Sequence, residues 1–134
     1  MNKAKCNEIL QWLIKSQHDL GAAERLMESD PYLDMAVFHC QRAAEKAIKA
    51  YLVYRDFVFD KTHNLNALLA ICITFDSQFR QWEEVAEKLT PYATEFRYPG
   101  NNIEPTKEEA QEAIIMAKAI VDFIIQLLPD EVRY

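Results

Sequence analysis

Two glycines in 134 residues exclude more chemistry than any residue present provides. No glycine-rich turn joins a strand to a helix, so neither a Walker loop nor a dinucleotide fingerprint can form, and autonomous ATP hydrolysis is excluded. A Gly-Ser step followed by paired aspartates is also missing, so the chain is not itself a nucleotidyltransferase. Cysteine is scarce: Cys6, Cys40 and Cys72 are widely spaced, odd in number and set among apolar residues. That usage fits buried thiols in a reducing cytosol better than a disulfide frame. The histidines His18, His39 and His63 are scattered, so no metal is expected, and no other cofactor. No segment approaches the roughly 20 apolar residues of a membrane span. Charged and amide residues interrupt the first twenty positions before a signal-length apolar run develops. The expectation is a cytoplasmic protein without leader or anchor.

Half the residues are hydrophobic, and Ala, Leu, Ile, Glu, Lys and Gln dominate, types that lose little side-chain freedom in a helix. The fold class expected is all-α, a bundle of about five helices forming one domain over residues 1–134. A net charge of −6 repels polyanions at long range, which argues against generic DNA binding. A local basic patch can still hold a phosphate.

Apolar residues at three- and four-residue steps predict the first helix from about Lys5 to Glu28, ended by Ser29-Asp30-Pro31. A second is predicted to start at Asp34 as its cap, to carry Ala36, Val37, Cys40, Ala43, Ala44, Ala47, Ile48 and Tyr51 on one stripe, and to end near Arg55 to Phe57. A short third helix follows a polar loop, with Leu65, Leu68, Leu69 and Cys72 on its apolar face. Phe79, Trp82, Val85, Ala86 and Leu89 mark a fourth, which Pro91 should kink before Ala93 and Phe96 continue the stripe. Tyr98-Pro99-Gly100-Asn101-Asn102 is the strongest turn signal. Thr106 and Glu109 have capping-box spacing ahead of an apolar fifth helix from Ala110 to Leu128. Met116, Ala119 and Phe123 widen that helix's apolar arc beyond one bundle contact, as expected of a homodimer surface or of a central helix with several neighbours.

His39, Arg42, Lys46 and Lys49 fall at steps of three, four and three and share one helical face, a basic stripe on an acidic protein. A loop folding back would add Lys61 and His63 to a phosphate-binding cluster. The competing reading pairs Glu45 with Arg42 and Lys49 as an ordinary solvated face. A second constellation is Arg97 and Tyr98 at the tight turn, where Arg97 either serves a ligand or satisfies the last carbonyls of the fourth helix.

The segments Trp12-Leu13-Ile14 through Asp19-Leu20, Ala36 to Ala50, Lys61-Thr62-His63-Asn64-Leu65 and Arg97-Tyr98-Pro99, in that order and spacing, give a chain that resembles the HEPN family, named for higher eukaryotes and prokaryotes nucleotide-binding. The resemblance covers nearly the whole length. It implies an up-and-down helical bundle, frequently dimeric, that often works beside a separately encoded minimal nucleotidyltransferase, some members being toxins in such pairs. Many HEPN proteins cut RNA without metal through an arginine followed, after four to six residues, by a histidine. Here no histidine follows Arg97, and seven residues separate Arg55 from His63.

Three functions follow as expectations. The first is a non-catalytic HEPN module that presents His39, Arg42, Lys46, Lys49, Lys61, His63, Arg97 and Tyr98 to a nucleotide, an RNA phosphate or a partner nucleotidyltransferase, as in a toxin–antitoxin pair. The second is a divergent metal-independent ribonuclease, with Arg97, His39 and His63 as the catalytic candidates. The third is a dimeric scaffold without ligand.

Overall fold

Two long helices open the structure, a computed structural model that describes residues 1–100 and 103–132. Helix α1 spans Lys3–Leu26, starting before the expected Lys5 because the Asn2 side chain accepts the Lys5 amide at 2.8 Å. That acceptor satisfies one of the amides every helix start leaves free. The chain then turns through Asp30, whose φ of 55° lies in the left-handed region that aspartate tolerates better than most residues. Helix α2 spans Leu33–Tyr54. Asp34 is not its cap, as the sequence suggested, but lies in its first turn, where a carboxylate faces the positive helix end.

These two helices lie antiparallel, shown by partners that run in opposite order: Lys5 with Tyr54, Trp12 with Lys49, Ser16 with the Ala43 carbonyl, Asp19 with His39. Ala36, Ala43, Ala44, Ala47 and Ala50 of α2 are wholly buried. Side chains that small let α1 and the last helix both approach α2 closely, which makes α2 the central element.

Helix α3, Leu65–Phe75, is capped by Asn64. The expected fourth helix is in fact three pieces: a 3₁₀ turn at Ser77–Trp82, helix α4 at Glu83–Leu89, and a second 3₁₀ turn at Thr90–Ala93. The helix does not continue through Phe96, which takes a left-handed φ of 66°, although Ala93 and Phe96 still pack on the core as expected. Pro91 offers no amide to extend the ladder, and Thr90 instead donates to the Ala86 carbonyl and accepts the Leu65 amide, fastening the end of α4 to the start of α3. Asn101 and Asn102 of the expected turn lie outside the described residues.

Helix α5, Lys107–Leu127, begins with the predicted capping box: Thr106 accepts the Glu109 amide at 3.0 Å and Glu109 accepts the Thr106 amide at 2.8 Å. Its apolar arc is largely used inside the chain. Phe123 packs edge-on to Phe79 and against Trp82, and Met116 is half-buried on the same core. Ala119 is exposed, and the large apolar side chain that α5 turns to solvent is Ile115, 68% exposed. Cys40 and Cys72 are buried free thiols, both pushed up to about 12 chiefly by desolvation, whereas Cys6 is only half-buried. Among the described residues no helix is long and apolar enough to cross a membrane.

Candidate phosphate-binding surface

Phe38, Arg42, Glu45 and Lys49 stand at steps of four, three and four on α2, so they form one line along the helix. His39 and Lys46 lie on its α1 side. There Asp19 of α1, nearly buried, takes the His39 Nδ1 at 2.7 Å on one oxygen and the Lys46 ammonium at 2.7 Å on the other. The Lys46 contact is an ion pair without hydrogen-bond alignment. Two of the predicted basic residues, His39 and Lys46, therefore share one carboxylate of the neighbouring helix.

The Glu45 carboxylate is the hub of the line. Burial alone pushes its pKa up, but hydrogen bonds from Lys49, Gln41 and His63 together with the Lys49 charge outweigh burial and hold it below the ordinary 4.5. Lys49 Nζ lies 2.8 Å away, Gln41 donates at 3.1 Å and Arg42 at 3.3 Å. The pairing of Glu45 with Arg42 and Lys49 is thus present, but it is buried rather than solvated. Lys49 is 5% exposed, its ammonium held over the rings of Trp12 and Phe59, themselves edge-to-face. It leaves the set of surface candidates for that reason: a phosphate cannot reach it without moving both rings.

The loop before α3 does fold back. Gln41 donates to the His63 carbonyl at 2.8 Å, which fixes the imidazole beside α2. His63 Nδ1 then lies 2.6 Å from the Arg42 guanidinium and 2.9 Å from Glu45. One nitrogen cannot accept from Arg42 and donate to Glu45 at once, so the tautomer chooses between them. Lys61 does not join the cluster; it is exposed, with no ion pair among the described residues.

Arg97 reaches the same place from the other end of the chain. Its guanidinium carbon sits 4.2 Å from the centre of the Phe38 ring, and that of Arg42 sits 5.1 Å from the same centre. The two cations are therefore no further apart than the sum of those distances. Arg97 makes no hydrogen bond to the α4 carbonyls among the described residues. Strained backbone at Phe96 turns it away from them, at a cost of about 1–3 kcal/mol that the packing of Phe96 on Tyr92 and the core must offset. Tyr98, 75% exposed, lies beside Arg97 at 5.9 Å.

Charge does not cancel here. Arg42, Lys46, Lys49 and Arg97 supply four permanent cations against the two carboxylates of Asp19 and Glu45. The excess sits on a chain of net charge −6. Two guanidinium groups against one aromatic ring, with an exposed tyrosine beside Arg97, supply planar donors for a phosphate and an apolar surface next to them. Among the described residues no group of three His, Cys, Asp or Glu side chains is placed to hold a metal ion.

Asp19, Phe38, Trp12 and Phe59 were not among the residues expected at the site, although the first three lie in segments that carry the HEPN resemblance. Only Phe38 had a local signal, since it stands four residues before Arg42; the other three reach α2 through tertiary packing.

Known proteins with the same pattern agree with this architecture. Residues 9–128 match the family model of the HEPN domain. The candidate toxin MJ1304 of Methanocaldococcus jannaschii is 26% identical over 132 residues, covering 87% of this chain and 86% of that protein. The crystal structure of TT1696 from Thermus thermophilus superposes with a TM-score of 0.81 at 29% identity, covering 91% of this chain and 99% of that one. With its matched span running from the first turns of α1 to the end of α5, the chain belongs to the HEPN family.

Proposed function

We propose that this HEPN protein is a non-catalytic binding component that holds the phosphate of a nucleotide or an RNA between Arg42 and Arg97, acting in a toxin–antitoxin-like pair with a separately encoded minimal nucleotidyltransferase. The observation that supports the reading is that two guanidinium groups contact the same Phe38 ring, Arg42 paired with Glu45 and Arg97 with no carboxylate partner among the described residues. The toxin-like relative supports the two-component setting. Two copies are proposed to pair where α1 meets α5, around exposed Ile115, half-buried Met27 and Ile114 and the polar Glu24, Lys107 and Gln111; sedimentation at tens of micromolar tests that, and a monomer refutes it.

Titration of AMP and a short single-stranded RNA decides the phosphate site. Saturable binding below about 1 mM, roughly −4 kcal/mol, is expected for the wild type. Arg42→Ala and Arg97→Lys should each weaken it, the latter because an ammonium cannot replace a planar fork. Binding unchanged in both variants places the ligand elsewhere.

One arrangement favours a second reading, metal-independent RNA cleavage. Glu45 orients a half-exposed His63 beside Arg42, which puts a proton carrier next to a phosphate grip. RNA hydrolysis in EDTA that disappears in His63→Ala would establish it.

A further inference from the structure

Beyond Lys49 the α2 line runs to Val53 and opens into a groove of about 620 Å³, lined by Trp12, Val53, Phe57, Val58 and Phe59 and edged by Lys5. We propose that this groove is a second subsite that stacks an unpaired base of the same single-stranded RNA whose phosphate lies at Arg42 and Arg97; it rests on the phosphate reading above and adds to it a minimum ligand length.

Three observations carry it. First, one chain segment serves both sites. The segment from Phe57 to Asn64 contributes Phe57, Val58 and Phe59 to the groove and His63 to the guanidinium cluster, with exposed Lys61 between them. Second, the groove offers an apolar aromatic wall, with one cation and two carboxylates at its edge and so no excess positive charge. Lys5 is paired with Asp56 at 3.0 Å and Glu8 stands at the same edge, so the groove suits a base and not a phosphate. The rings of Trp12 and Phe59 that line it are braced from behind by the Lys49 ammonium, which holds them in place. Third, the spacing sets the ligand. Arg42 and Lys49, over which the Trp12 and Phe59 rings lie, are seven residues apart, about 10 Å along the helix, and the groove runs on a further turn to Val53. That exceeds the reach from a nucleotide's phosphate to its own base, so one mononucleotide cannot fill both sites and a strand of several nucleotides can. Val58, 94% exposed beside this aromatic wall, is an apolar side chain with no use inside the chain.

Calorimetric titration with AMP, tetraadenylate, and a tetraadenylate lacking its two 3′ bases tests the subsite on the intact chain. Tetraadenylate should bind about tenfold tighter than AMP, the scale of one base stacked on an aromatic ring. The abasic strand, with the same phosphates, should lose that tenfold. Val58→Asp should lose it too while leaving AMP affinity unchanged, because Val58 is 94% exposed and touches neither Arg42 nor the Glu45 hub. Tetraadenylate no tighter than AMP, an abasic strand that binds equally well, or a Val58→Asp variant that weakens AMP as much as tetraadenylate would each overturn the subsite while the phosphate site stands. Absence of binding by AMP and tetraadenylate alike would overturn both.

Discussion

Replacing Glu45 by alanine should be among the most damaging single changes available in this protein. Glu45 is 3% exposed and Lys49 is 5% exposed, with the ammonium enclosed by Trp12 and Phe59. Removing the carboxylate leaves a buried cation without its counterion, a loss of about 3–5 kcal/mol where a surface pair would lose less than about 1 kcal/mol. For a chain of this size that corresponds to a fall of roughly 10–20 °C in Tm. Urea unfolding followed by far-ultraviolet circular dichroism measures it. A second variant separates charge from packing: Glu45→Leu with Lys49→Met should recover most of the loss, because an apolar pair of similar volume carries no desolvation penalty. Acid titration gives a third reading. The folded pKa of Glu45 is depressed from 4.5, so its stabilisation is present above that value and is lost as pH falls through the lower folded value. That part of the acid loss should vanish in Glu45→Gln. A Glu45→Ala loss under about 1 kcal/mol, or a double variant no more stable than the single, would refute the buried-hub account.

Asp19→Asn should destabilise the α1–α2 pair by about 1–2 kcal/mol while tightening RNA binding, since it removes a counterion from His39 and Lys46; weaker binding would contradict the charge argument. Phe79→Ala empties the centre of the Tyr51, Phe79 and Phe123 cluster and should cost about 3–5 kcal/mol by denaturant unfolding. Thr106→Ala removes one half of the α5 capping box and should cost about 1 kcal/mol by the same measure. At pH 8 a thiol reagent should label Cys6 alone in the native protein, because burial holds Cys40 and Cys72 near 12.

The helices that sequence located best are those whose signals are local. Thr106 and Glu109 announce α5 because both partners of the capping box lie within one turn, and the alanine stripe of α2 announces a helix that neighbours can approach closely. The segment from Ser77 to Ala93 misled the same reasoning. A 3₁₀ turn carries no amphipathic period distinct from an α-helix over so few residues, and Thr90 uses its hydroxyl to end α4 through contacts with α3 that no local pattern encodes.

The site divides along the same line. The basic residues of α2 were legible because three- and four-residue steps place them together. Their environments were not: Lys49 looks like His39 and Lys46 in sequence, yet only tertiary packing buries it beneath Trp12 and Phe59 while the others stay near solvent. Arg97 was visible as an arginine at a helix end, and only the left-handed Phe96 sends it to Phe38 instead of to the α4 carbonyls.

Nuclear magnetic resonance titration of the isotopically labelled protein with AMP tests the central claim most directly, because it locates the ligand without assuming an activity. The account predicts saturable shifts concentrated at the amides of Phe38, Arg42, His63 and Arg97 and at the Arg42 and Arg97 guanidinium protons. Saturable shifts confined to other surfaces, or none up to about 1 mM, would contradict it.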